Sequence, residues 1–128
     1  MTKEPPRPTQ SELEILAVLW DAGPATVREV QHELEARRPT GYTTVLKLLQ
    51  IMTEKGLVRR DERERAHRYA PKLPREKTEQ QIVGDLLDRA FGGSSSRLVM
   101  RALSSRRASP EELERIRELL NEIEGEKE

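Results

Sequence analysis

The stretch GYTTVLKLLQIMTEKGLVRR, residues 41–60, holds a short amphipathic helix, the glycine that stops it and the arginines that follow. At 100° per residue Val45, Leu48, Leu49 and Met52 fall on one side, with Thr43, Lys47, Gln50 and Glu54 opposite. The first set is core. The second is a stripe of hydroxyl, ammonium and amide groups, side chains that hydrogen-bond base edges or phosphates from within a major groove. Leu46 and Ile51 flank it, where an apolar side chain can touch a thymine methyl. Lys55 suits the helix dipole and Gly56 the left-handed C′ position. Taken alone, such a polar face also fits an ordinary solvated helix, so its surroundings decide.

Upstream, Thr9-Gln10-Ser11-Glu12 has the spacing of a capping box, followed by Leu13, Leu16, Ala17 and Trp20 at helical intervals until Gly23-Pro24. Thr26-Val27-Arg28-Glu29 repeats the box and opens a second helix with Val27, Val30 and Leu34 inward, ending before Pro39. Downstream the period changes. Leu57–Arg60 and His67–Ala70 read as two strands around the polar tip Asp61–Ala66, a β-hairpin with a charged loop. Helix, helix, helix, hairpin is the order of a winged helix-turn-helix domain.

Pro71 and Pro74 mark a boundary. Beyond it Ile82, Val83, Leu86, Leu87, Ala90 and Phe91 form a helical stripe that breaks at Gly92–Ser96; Leu98, Val99, Ala102 and Leu103 suggest a short helix. Ser109-Pro110-Glu111-Glu112 starts another, with Leu113, Ile116, Leu120 and Ile123 at spacings of three and four. The expected fold is mainly α with a small β wing: a disordered tail over 1–8, a winged-helix domain over 9–72, and a helical domain over 73–128 ending in an acidic tail. The last segment is too short to bury its stripes alone. It is therefore expected to dimerise, with Leu113, Ile116, Leu120 and Ile123 as the seam and Leu86, Leu87 and Phe91 packing across.

Composition narrows the function. Among 128 residues 34% are apolar and 36% charged, with one Trp, two Tyr and one Phe, so any single core is thin. The absence of cysteine excludes disulfides, thiolate metal sites and Cys nucleophiles. No apolar run approaches the roughly 18 residues of a membrane span, and MTKEPPRP lacks the apolar segment of a signal peptide. A cytoplasmic protein with no stable membrane association is expected. The net charge of zero conceals a segregation: residues 37–68 carry nine Lys/Arg against four acids, and residues 109–128 eight acids against three bases. The basic stretch is a candidate electrostatic footprint.

Within it, Arg59, Arg60, Arg63, Arg65 and Arg68 crowd the hairpin, and His67 lies on the same element. Five guanidinium groups so close together point to phosphate contact, although Asp61, Glu62 and Glu64 can neutralise some of them. The competing reading is a winged-helix module whose basic wing meets an acidic protein partner; the polar stripe on the third helix favours DNA. An enzyme is not expected. His32 and His67 have no third ligand and no HExxH context, Asp85 and Asp88 share a solvated helix face, and Gly92-Gly93 follows no strand. No metal site and no cofactor is expected, and Trp20 reads as a core anchor.

The segments SELEILAVLW, ATVREV, GYTTVLKLLQIMTEKGLV and AHRYAP resemble the BlaI/MecI family of penicillinase-type transcriptional repressors, from about Thr9 to the C-terminus. The resemblance implies a homodimer whose winged-helix domains read a palindromic operator in double-stranded DNA. It implies a three-helix dimerisation domain, and induction by a membrane sensor metallopeptidase that leads to repressor cleavage. The family's recognition positions fall on Tyr42, Thr43, Thr44, Leu46 and Lys47, with Thr26 and Arg28 beside the DNA backbone; Gln50 joins them from the polar stripe. Lys47 stands where Thr is usual and Ile51 where a basic residue is usual, which implies a different operator preference or a lost phosphate contact. Arg101-Ala102 replaces the family's Asn-Phe cleavage pair. A copper-responsive branch of the family uses cysteines, which this chain lacks.

Overall fold

The computed structural model describes residues 6–126. The start of the expected N-terminal tail (1–5) and the end of the acidic tail (127–128) lie outside the described residues. The element order is α1 (Gln10–Ala22), β1 (Ala25–Thr26), α2 (Val27–Glu35), α3 (Tyr42–Lys55), β2 (Val58–Asp61), β3 (Arg68–Pro71), α4 (Arg75–Arg89), α5 (Ser95–Ser105) and α6 (Pro110–Glu126). The chain divides into two compact units, Met1–Ile82 and Val83–Glu128. This is the mainly helical architecture with a small sheet that the sequence implies.

Both capping boxes form. Thr9 Oγ1 accepts from the Glu12 amide at 3.2 Å while Glu12 Oε1 accepts from the Thr9 amide at 2.8 Å. Thr26 and Glu29 repeat the arrangement at the same distances. Each cap contributes about 1 kcal/mol by satisfying amides that the first helical turn leaves free. α3 differs: its N-cap is Gly41, with no side-chain cap bond. It stops at Gly56, where φ is 83° and ψ 20°, a left-handed conformation that strains any side chain with a Cβ.

The core of the first unit joins Ile15, Leu16 and Leu19 of α1 to Val30, Val45, Leu49, Met52, Val58 and Tyr69. The α1 stripe needs correction. Leu16 is buried, but Ile15, Val18 and Leu19 are the other core residues, whereas Leu13, Ala17 and Trp20 are half-buried. α1 is flanked by α2, α3 and β3, so a wider arc is covered than one stripe provides. On α3, Val45, Leu49 and Met52 are fully enclosed and Leu48 is half-buried.

The sheet has three antiparallel strands in the order β1-β3-β2, where the sequence suggests two. Ala25 and Thr26 pair with Tyr69 and Arg68, and Arg59, Arg60 and Asp61 pair with Ala70, Tyr69 and Arg68. The hairpin strands begin one residue later than the pattern suggests. Because side chains alternate, Thr26, Arg68 and Asp61 form one row across the sheet, and Ala25, Tyr69 and Arg60 the next.

This unit continues past Pro74. Trp20 Nε1 donates to the Leu73 carbonyl at 3.1 Å, Arg75 bonds Asp21 at 2.8 Å and lies 5.4 Å from the Trp20 ring centroid, and Thr78 is buried. The early turns of α4 thus belong to the first unit, beyond the prolines that mark the sequence boundary. In the second unit, Ser94 caps α5 by accepting from the Arg97 amide, and Ser109 and Glu112 form a third capping box. Gly92 and Gly93 turn the chain between α4 and α5. No residue of α5 or α6 is buried: Val99, Met100, Leu103, Leu119, Leu120 and Ile123 are all exposed. No helix among the described residues is long and apolar enough to cross a membrane.

Candidate nucleic-acid interface

Three elements of the first unit converge on one face. α2 begins at the sheet edge, α3 follows after a short turn, and the β2–β3 wing returns beside both. A single groove is lined by Thr26, Val27 and Arg28 from the start of α2, Tyr42 and Leu46 from α3, and Arg65, Ala66, His67 and Tyr69 from the wing. Six of the sequence-derived candidates (Thr26, Arg28, Tyr42, Leu46, Arg65 and His67) therefore meet in one place. Arg28 places its guanidinium carbon 5.2 Å from the centroid of the Tyr42 ring. That cation–π contact ties the first turn of α2 to the first turn of α3.

Thr43, Thr44, Lys47 and Gln50 project from α3 outside this groove and are exposed, as are Ile51 and Glu54. Thr44 borders a separate depression with Ser11, Glu14, Arg38 and Thr40. Leu46 is half-buried and packs against the core, so only part of its side chain is open to the groove. Thr26 Oγ1 is engaged in capping, which fixes its orientation at the groove edge.

The wing arginines are held differently from one another. Arg63 makes a forked contact with Asp61, Nε to Oδ1 at 3.0 Å and Nη2 to Oδ2 at 2.7 Å, and its amide also donates to Oδ1 at 3.0 Å. The Arg63 guanidinium, then its amide, lowers the Asp61 carboxyl to about 2, and the hydrogen bond to Asp61 in turn raises the Arg63 pKa. Arg60 donates to Glu62 at 3.1 Å, and hydrogen bonds to Glu62 and then Tyr69 raise its pKa. Arg68 lies 3.3 Å from Glu29 Oε1 and 3.7 Å from Glu64 Oε1. Hydrogen bonds from Thr26, aided by the charge of Arg68, hold Glu29 below its usual carboxylate value.

Two contributors escape sequence reasoning. β1 sets Thr26 beside Arg68, and Glu29, 39 residues before Arg68, supplies that arginine with a carboxylate. Nothing local in the sequence signals Glu29 as a partner of Arg68. Among the described residues no cluster of His, Asp or Glu is placed to hold a metal ion.

The chain is similar to several known proteins. The chain is 36% identical over 115 residues to the transcriptional regulator BlaI of Mycobacterium tuberculosis, covering 89% of this chain and 83% of that one. It is 18% identical to a penicillinase repressor of Staphylococcus aureus, over 90% of this chain and 91% of that one. Among solved structures, the Bacillus licheniformis BlaI monomeric form in complex with the blaP half-operator is similar, with a TM-score of 0.50 and 24% identity. It covers 59% of this chain and 92% of its own. A MarR family protein from Bacillus stearothermophilus matches at a TM-score of 0.51 and 24% identity over 93% of this chain and 74% of its own. These two likenesses speak for the fold. The sequence profile described as penicillinase repressor matches residues 8–122. On that match and the 36% identity, the chain belongs to the penicillinase repressor family.

Proposed function

We propose that this chain is a DNA-binding transcriptional repressor that acts by occupying a palindromic operator as a homodimer. The observation that carries the reading is the convergence of Thr26 and Arg28, Tyr42 and Leu46, and Arg65 and His67 on one groove beside the exposed stripe Thr43–Lys47–Gln50. α3 enters the major groove, where Thr43, Thr44, Lys47 and Gln50 meet base edges. Arg28, the start of α2 and the wing grip the flanking phosphates.

The dimer reading draws support from the second unit, whose helices leave apolar residues at helical spacing open to solvent. Leu86, Leu120 and Ile123 are 44%, 52% and 44% exposed, and Leu87, Phe91, Leu113 and Ile116 are half-buried. A second copy offers an identical apolar face and sets the half-site spacing. Relief of repression by a membrane sensor metallopeptidase would act on α5. There Arg101 and Ala102 stand exposed in a continuous helix that must open locally before its backbone can be cut.

Fluorescence anisotropy of duplex DNA tests the reading. The folded protein binds at low salt, and its affinity falls by orders of magnitude between about 50 and 200 mM salt as counterions are released. Folded dimer that fails to bind any duplex at low salt overturns it and leaves an acidic protein as the partner of the wing.

A further inference from the structure

The wing carries five guanidinium groups, and its own carboxylates engage three of them. Arg63 is held by Asp61 through two parallel bonds although its side chain is 88% exposed. Arg60 is held by Glu62, and Arg68 lies between Glu29 and Glu64. Among the described residues no carboxylate lies within ion-pair distance of Arg59 or Arg65. Exposed ion pairs add little to folding stability, though forked geometry makes them persistent. Their larger effect is subtractive. A guanidinium facing its own carboxylate presents no net charge to a phosphate, and the salt dependence of binding counts the phosphates that are neutralised.

We propose that Asp61, Glu62 and Glu64, with Glu29, are intramolecular competitors that withhold Arg63, Arg60 and Arg68 from phosphates, so that Arg59 and Arg65 make the wing's DNA contacts. The proposal rests on the DNA-binding reading above. The Asp61–Arg63 pair is the firmest of the set, because Asp61 also accepts the Arg63 amide and stays ionised far below neutral pH. A wing restrained in this way grips random DNA weakly, which leaves discrimination to α3. Specificity is a difference of affinities, and weakening the sequence-independent term widens it.

Binding of the full chain to a random-sequence duplex across a salt series tests this. Asp61→Asn keeps an amide oxygen for the Arg63 amide but releases the guanidinium. It is expected to tighten binding several-fold at low salt and steepen the log–log salt slope by about 0.9. Arg65→Gln is expected to flatten the slope by about 0.9, while Asp61→Asn with Arg63→Gln stays within about twofold of the native protein. Glu62→Gln, which leaves the Asp61–Arg63 amide bond in place, gives an independent reading by releasing Arg60. An unchanged slope in both Asp61→Asn and Glu62→Gln overturns the proposal, and so does a double variant that loses as much as Arg65→Gln. If the native protein binds no duplex, the DNA reading itself fails; if it binds and the variants do not respond, only the assignment of the wing falls.

Discussion

Lys55, the last residue of α3, places its Nζ 2.7 Å from Oε1 of Glu12 in the first turn of α1, and Glu12 is only 2% exposed. The same Nζ donates to the Arg7 carbonyl at 3.2 Å. A charged bond thus fixes the C-terminal end of the proposed recognition helix to the start of the chain's first helix. Lys55→Met leaves that carboxylate buried with Thr9 as its remaining partner. The expected cost is about 1–3 kcal/mol, read as a lower denaturant midpoint, and less for Lys55→Met combined with Glu12→Gln than the sum of the two.

The same pair makes stability depend on pH. Burial alone raises the Glu12 carboxyl, but the bonds from Lys55 and Thr9 outweigh it and leave its pKa below the ordinary value of 4.5. A depressed folded pKa means that the contribution is complete above the unfolded value and is lost as pH falls through 4.5 toward the folded one. Glu12→Gln is expected to lose stability at neutral pH and to show a shallower decline on acidification. Thermal melts at a series of pH values check this; an equal decline in both proteins contradicts it.

Substitutions on α3 and on the wing are expected to differ in kind. Thr43→Ala or Lys47→Ala changes which sequence is preferred, by about 1–3 kcal/mol per lost base contact. Arg59→Gln weakens binding to all sequences alike. Selection from a randomised duplex library separates the two, because only the α3 variants shift the recovered consensus.

Arg28→Leu removes the guanidinium stacked on Tyr42 along with a proposed phosphate donor. Exposed cation–π contacts are worth about 0.5–1 kcal/mol. If the stack orients Tyr42, the variant loses more affinity for the preferred sequence than for random DNA. Equal losses on both would reduce Arg28 to a phosphate contact.

Leu120 and Ile123 are exposed on α6, so replacing both with Asp is expected to leave the fold of the first unit intact while dissociating the proposed dimer. Sedimentation then gives a monomer with native helical content. A variant that remains dimeric places the seam elsewhere.

The local signals in the sequence were sound. Thr9 with Glu12, Thr26 with Glu29, and Gly56 after Lys55 all act within four residues, and each helix end stands where those residues put it. What escaped was non-local. Lys55 suits the helix dipole, yet its carboxylate lies 43 residues away, in the residue that also closes the α1 cap. Ile15, Val18 and Leu19 are buried because several elements cover α1, which one helical stripe does not express. The boundary at Pro71 and Pro74 missed the bond from Trp20 to Leu73, which draws the start of α4 onto the first unit. On the wing, the acids are visible as neighbours of the arginines, but only the side-chain geometry assigns Asp61 to Arg63 and Glu62 to Arg60.

β1 is two residues long, and β3 is paired through it on one side and through β2 on the other. A free hairpin can slide by one residue at modest cost, and because side chains alternate, such a slip exchanges its faces. Here it would turn Tyr69 out to solvent and Arg68 into the core, while Ala25 and Thr26 lost their partners. The short strand therefore works as a ratchet pawl: it leaves the wing one way to fold, and so one set of arginines to present.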